Sequence, residues 1–265
     1  SRIETGFALP PITDFEKVIT AKTKAIIICS PNNPTGYLYS REEMEALKKI
    51  CLRHNLYLFS DEAYREFCYD GDYVSAMHLD GLDENVILMD TISKRYSACG
   101  ARIGAFVTRN KAVYDVAMKF AQARLSPPGL AQILGEAAVD LPASYFEKPK
   151  SEYLARRDLL IKRLNNMPDV FCPNPGGAFY AIARLPIDDS DHFCQWLLES
   201  FSYQNQTVML APATGFYGTP GLGKNEVRLA YVLNLNSINA AMDCLEQALQ
   251  EYPGTRSDIK LKTSL

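Results

Sequence analysis

The sequence predicts an α/β fold: a larger domain over residues 1–142 with a mostly parallel sheet, a smaller α+β domain over 143–252, and a polar tail over 253–265. Three observations lead there. Short apolar runs alternate with longer helical patterns through the first part. Those runs are apolar on both faces, as in a parallel sheet covered by helices. From about Ala143 the pattern changes to a long, densely charged helix followed by a mixture of strands and helices.

Taken in order, residues 1–13 carry no strong period, and a short helix from Asp14 to Ile19 is expected, capped by Thr13 or Asp14. Lys24 to Ser30 contains Ala-Ile-Ile-Ile-Cys, a buried strand. Pro31-Asn32-Asn33-Pro34-Thr35-Gly36 follows as a rigid turn, because two prolines fix φ and Asn and Gly supply unusual backbone angles. Ser40 with Glu43 three positions on reads as a capping box for a helix ending near His54. Leu56 to Phe59, Val86 to Asp90 and Ile103 to Val107 are the next three strands. Helices are expected over about 110–123, 129–140, 143–165 and 191–202, with strands at Ala178 to Ala183, Val208 to Leu210 and Val227 to Val232. Ser237 is the expected cap of a last helix reaching Tyr252. Four strands are few for a sheet of this kind, and residues 1–23 cannot supply the neighbours it needs. An N-terminal part of the natural protein is therefore expected to be absent.

Composition excludes several classes of function. The chain has 265 residues, 47% hydrophobic and 22% charged, enough to bury a sizeable core. A net charge of −3 gives no electrostatic argument for nucleic acid or a membrane surface. No apolar run reaches membrane-spanning length, and nothing at the N-terminus looks like a signal peptide. The seven cysteines are scattered, form no CxxC and do not cluster with the three histidines. No metal site is expected, and reduced cysteines in a cytoplasmic protein are the simpler account.

Chemistry gathers where strands end. The first strand leads to Asn33 in its proline-rich turn, the second to Asp61 and Tyr64, and the third to Thr91, Ser93 and Lys94, with Arg102 shortly after. In an open α/β sheet such ends converge on one crevice. Taken singly, each residue reads as something ordinary: a turn amide, a strand-end carboxylate, a packed aromatic, a solvated lysine. Together they match what pyridoxal 5'-phosphate requires. Its aldehyde takes an amine, its pyridine nitrogen a carboxylate and its phenolic oxygen hydrogen-bond donors. Its phosphate takes hydroxyls and a bidentate cation, which favours Arg over Lys.

These motifs resemble those of fold-type I pyridoxal-phosphate enzymes of the class I/II aminotransferase family. They are Ser-Pro-Asn-Asn-Pro-Thr-Gly at 30–36, Asp-Glu-Ala-Tyr at 61–64, Ser93-Lys94 with Arg102-Ile103-Gly104, and Asn225-Glu226-Val227-Arg228-Leu229. The resemblance runs to about Tyr252 and implies a three-layer large domain, incomplete here, followed by a small domain. It implies that Lys94 is the Schiff-base lysine and proton shuttle, and that Asp61 pairs with the pyridinium. Asn33 and Tyr64 would hold the phenolic oxygen, and Thr91 or Ser93 with Arg102 the phosphate. Arg228 would bind the substrate α-carboxylate. Position 91 is Thr where the family usually has Ser or Gly, a hydroxyl that still bonds phosphate.

The implied reaction is transamination between an L-amino acid, aspartate favoured, and a 2-oxo acid, 2-oxoglutarate favoured, with Arg124 a candidate for the distal carboxylate. The alternatives are a β-lyase, an aminotransferase of aromatic or alanine specificity, and the ligand-sensing domain of a transcription regulator. A cytoplasmic homodimer is the family expectation.

Overall fold

The computed structural model describes residues 1–256. The first helix, α1, spans Ile12–Val18. It starts after Pro11 with no side-chain cap, so the expected capping by Thr13 or Asp14 is replaced. Asp14 lies in the first turn, where a carboxylate suits the helix dipole, and pairs with Lys17 at 2.6 Å. Strand β1 (Ala25–Cys29) leads into α2 (Arg41–His54), where the expected capping box forms: Glu43 N donates to Ser40 Oγ at 3.2 Å and Ser40 N to Glu43 Oε2 at 2.8 Å.

Strands β2 (Tyr57–Asp61), β3 (Val86–Thr91) and β4 (Gly104–Val107) complete a sheet of order β1-β2-β3-β4. The first two pairings are parallel and the last is antiparallel. A four-residue helix, α3 (Ile92–Arg95), sits directly on the end of β3, and α4 (Lys111–Arg124) and α5 (Gly129–Val139) follow β4. The sheet is not buried on both faces as expected. Helix α2 covers one face through Met44, Leu47 and Ile50 against Leu58 and Val86. On the other, Ile27 is 74% exposed, Phe106 46% and Phe120 of α4 74%. Helix α4 lines only part of this face, with Val113 and Val116 near Phe59 and the buried Ile87, and leaves Ile27 and Phe106 exposed.

The long α6 (Ser144–Asn165) opens the second half, followed by β5 (Tyr180–Arg184), α7 (Ser190–Glu199), β6 (Ala211–Pro212), β7 (Glu226–Ala230) and α8 (Leu235–Glu251). The three strands form an antiparallel sheet of order β5-β7-β6. Three local expectations are corrected. Strand β5 starts two residues late because Ala178 has a positive φ of 58°, which no strand residue adopts. The edge strand β6 lies at 211–212 rather than 208–210; Pro212 takes the position whose N–H would face away from β7, and Ala213 N beyond it still donates to Glu226 O at 3.0 Å. Helix α8 is capped by Asn234, which accepts from Ser237 N at 2.9 Å. Asn caps as well as Ser and stands three residues earlier, so the helix gains most of a turn.

One core cluster joins the halves: Tyr64 and Phe67 pack with Leu160, Phe179, Leu197, Tyr231 and Leu245. At the C-terminus Thr255 Oγ1 donates to Leu249 O at 2.7 Å and Arg256 N to Pro186 O at 2.8 Å. The rest of the expected tail, 257–265, lies outside the described residues. The capping box gives a direct test: Ser40→Ala is expected to lower unfolding stability in denaturant by about 1 kcal/mol, and an unchanged midpoint would show that the cap contributes nothing.

Candidate active site

Parallel pairing brings three strand ends level, with Cys29 beside Asp61 and Asp61 beside Met89. Beyond β1 the chain turns sharply. Asn32 Oδ1 accepts from Thr35 N at 3.1 Å and from Thr35 Oγ1 at 2.8 Å, and Gly36 N donates to Asn32 O at 2.9 Å. Gly36 has φ +72°, and a Cβ there would lie 2.3 Å from Pro175 Cβ. A side chain would thus separate the turn from the segment leading into β5, which Gly177 N holds to Gly36 O at 2.9 Å. Asn33 sits in this braced turn, with its side-chain amide directed at Tyr64 and Arg228.

At the end of β2 the Asp61 carboxylate accepts from Ala63 N at 3.1 Å. Glu62 points the other way and is 1% exposed. Its carboxylate accepts from Ser60 Oγ at 2.9 Å, Ser75 Oγ at 2.8 Å and Ala76 N at 2.9 Å. Burial raises its pKa above the usual carboxylate range against the opposing effect of these hydrogen bonds. Alternation along the backbone therefore sends Asp61 and Glu62 to opposite sides, and Glu62 fastens the strand end from behind. Tyr64 follows in the shared core, where burial holds its phenol well above the ordinary tyrosine range.

The third end carries α3. Thr91 caps it, with Ser93 N donating to Thr91 Oγ1 at 3.1 Å. The two hydroxyl oxygens of Thr91 and Ser93 lie 2.8 Å apart. Arg95 is buried and bonds Asp90 Oδ2, which Arg65 Nη1 also approaches at 3.2 Å. Arg95 thus pins one side of the turn. From the other, Lys94 Nζ reaches 5.8 Å from the Tyr64 ring centre and 5.9 Å from that of Phe179. Gly104 lets β4 approach closely, since a Cβ there would meet Asp90 O at 2.6 Å. Because Gly104 pairs with Thr91, the loop carrying Arg102 returns beside the α3 cap, and Ile103 O lies 3.1 Å from Thr91 Oγ1. Arg102 is exposed, with Nη1 donating to Cys99 O at 2.9 Å.

The small sheet supplies the opposing wall. Arg228 of β7 pairs with Ile182 of β5, which places it diagonally next to Tyr180 on the same face. Its guanidinium carbon lies 4.9 Å from the Tyr180 ring centre and 5.0 Å from that of Phe216. Arg228 Nη1 donates to Asn33 Oδ1 at 3.1 Å, and Asn33 Nδ2 donates to Tyr64 Oη at 3.4 Å. Side chains 195 positions apart in sequence are therefore in direct contact.

The profile described as "Aminotransferase class I and II" matches residues 11–231. The chain belongs to this family. Class I and II aminotransferases depend on pyridoxal 5'-phosphate. An aspartate aminotransferase of Bacillus subtilis is 31% identical over 258 residues, covering 94% of this chain and 63% of the relative. A putative aminotransferase of the same organism, YugH, is 31% identical over 241 residues, covering 90% and 60%. Among solved structures, the aromatic aminotransferase of Pyrococcus horikoshii superposes with a TM-score of 0.83 at 30% identity, covering 94% of this chain and 65% of that one. The chain thus spans about three-fifths of the length of the curated relatives it matches.

Of the residues singled out in the sequence, Asn33, Tyr64, Lys94 and Arg228 lie in one connected group. Asp61, Thr91 and Ser93 stand on the neighbouring strand ends, and Arg102 follows on the returning loop. Arg124 is exposed at the end of α4 and has no hydrogen bond or ion pair among the described residues. Sequence reasoning missed Tyr180 and Phe216, which face Arg228, and Glu62, whose position inside Asp-Glu-Ala-Tyr was the available signal.

Glu62 generates a pH prediction. Its folded pKa is raised, so stability from this site is complete below the unfolded carboxylate pKa and falls as pH rises through the folded value. Glu62→Gln is expected to flatten that fall, measured as unfolding free energy against pH; an unaltered slope would contradict the assignment.

Proposed function

We propose that the chain is the larger part of a pyridoxal-phosphate-dependent aminotransferase that moves an amino group between an L-amino acid and a 2-oxo acid. The observation that carries this reading is the connected group at the strand ends. The Lys94 amine, without a hydrogen-bond or ion-pair partner among the described residues, lies over the Tyr64 ring, and Tyr64 is linked through Asn33 to Arg228. The donor set fits the cofactor: an amine, a strand-end carboxylate, a phenol beside an amide, paired hydroxyls and two arginines.

When bound, pyridoxal phosphate supplies an aldehyde for amine capture and a ring that takes up charge from the substrate's Cα. Lys94 is the amine that would hold the aldehyde, and its Nζ, once set free by the incoming substrate amine, would be the base that takes the proton from the substrate's Cα. Asp61 would keep the ring nitrogen protonated. Asn33 and Tyr64 would donate to the phenolic oxygen, and Thr91, Ser93 and Arg102 would hold the phosphate. Arg228 would grip the substrate α-carboxylate with its planar fork, which fixes the Cα–H relative to Lys94.

Aspartate with 2-oxoglutarate is the favoured pair; the name of the Bacillus subtilis relative supports aspartate as the amino donor. The aromatic aminotransferase of Pyrococcus horikoshii favours a second reading, an aromatic amino donor. Turnover of aspartate against phenylalanine separates the two. A cytoplasmic homodimer completes the proposal; no helix among the described residues is long and apolar enough to cross a membrane.

Lys94→Ala is expected to abolish the half-reaction, a loss of at least about 10²–10⁴-fold, read as release of 2-oxo acid from the amino donor. Undiminished turnover would overturn the assignment. Arg228→Lys keeps the charge but loses the fork, and is expected to weaken capture of the amino acid about tenfold, seen in KM more than in kcat.

A further inference from the structure

Tyr180 stands between the two groups to which separate tasks have just been given. Its Oη lies 3.2 Å from Tyr64 Oη, and the face of its ring carries the Arg228 guanidinium. The chemistry of the neighbours orders the protons. Arg228 has donors only, so Asn33 must turn its Oδ1 toward Arg228 and its Nδ2 toward Tyr64. Tyr64 Oη therefore accepts from Asn33. A phenol oxygen has two lone pairs and one proton. If Tyr180 donates to Tyr64, both lone pairs are filled and the Tyr64 proton is left for a ligand atom. If Tyr64 donates to Tyr180, that proton is used up within the protein.

The surroundings favour the first arrangement. A cation over a phenol ring draws charge from it and makes its O–H the better donor. Arg228 lies 4.9 Å from the Tyr180 ring centre, whereas Lys94 Nζ lies 5.8 Å from that of Tyr64. The Tyr180 ring is itself held edge-on to Tyr64 with centres 5.6 Å apart, so the contact between the hydroxyls does not depend on a free rotor.

We propose that Tyr180 is a positioning residue: it donates to Tyr64, leaves the Tyr64 proton available to the cofactor's phenolic oxygen, and offers its ring as the surface on which Arg228 receives a carboxylate. This rests on the function proposed above. The two roles of Tyr180 separate by substitution, since Phe removes the hydroxyl and keeps the ring, while Leu removes both.

The test has two arms. In the cofactor-free chain carrying ¹³Cζ-labelled tyrosine, Tyr180→Phe is expected to move the Tyr64 resonance, whereas Tyr153→Phe, which also packs on Phe179, leaves it in place. A Tyr64 resonance that moves no more than in the Tyr153 control overturns the proposal without any appeal to the cofactor. In the chain loaded with pyridoxal phosphate, the pH midpoint of the lysine-bound visible absorption is expected to rise in Tyr180→Phe by roughly half a unit, about threefold in the proton constant. A midpoint that falls means that Tyr64 had been donating to Tyr180, and one that stays means no coupling; either contradicts the proposal. Tyr180→Leu is expected to raise the dissociation constant of 2-oxoglutarate about fivefold, with Tyr180→Phe unchanged, and equal constants in the two variants overturn the role of the ring. Failure of the loaded chain to carry cofactor on Lys94 would sink the proposed function and leave the first arm to judge the contact by itself.

Discussion

The amide of Asn33 is the group on which the site depends. An amide has one accepting end and one donating end, and here each is committed: the first to Arg228 on the small sheet, the second to Tyr64 beside the large one. Neither contact would survive a sideways shift between the two sheets. Nothing in the amide itself prevents such a shift. The shared core does, because Tyr64 and Phe67 pack into the same cluster as Phe179 and Leu160, and Ala178 N donates to Phe67 O at 2.8 Å. Apolar packing sets the relative position of the walls, and the polar contacts then read that position to within a hydrogen bond's tolerance.

Behind the site, charge is handled differently at each strand end. Glu62 is buried without a cation in direct contact and is stabilised by hydroxyls and a backbone N–H, an arrangement that holds one carboxylate group while its neighbour Asp61 faces the cleft. Asp90 and Arg95 form a largely buried pair one residue from Thr91 and Lys94. Removing one partner of such a pair leaves an uncompensated charge, so these residues fix the short helix firmly even where the pair adds little net stability. The groups facing the cleft are held from behind by groups that have no part in the chemistry.

Much of this was legible in the sequence, and for identifiable reasons. The strands at 25–29, 57–61 and 86–91 are built on the apolar runs 25–29, 57–59 and 86–89, each followed at once by a polar residue. The Ser40–Glu43 cap has a fixed local spacing. Asn33, Asp61, Tyr64 and Lys94 stand just past strand ends, where a parallel sheet gathers ligands. What escaped depended on distant contacts or on backbone detail. Tyr180 reads as one more core aromatic in a strand, and only the fold reveals Arg228 on its ring and Tyr64 at its hydroxyl. The late start of β5 follows from a positive φ at Ala178 that no propensity announces. The partly uncovered face of the large sheet departs from the run of Ile26, Ile27 and Ile28, which predicts burial on both sides: Ile28 is buried, whereas Ile27 is exposed.

The central claim is that the side chain of residue 94, rather than any of the other lysines, meets the cofactor. Reduction of the pyridoxal-phosphate-treated protein with borohydride, followed by peptide mapping by mass spectrometry, addresses it most directly. The account predicts a single pyridoxyl label on Lys94; a label spread over surface lysines, or confined to another lysine, would contradict it.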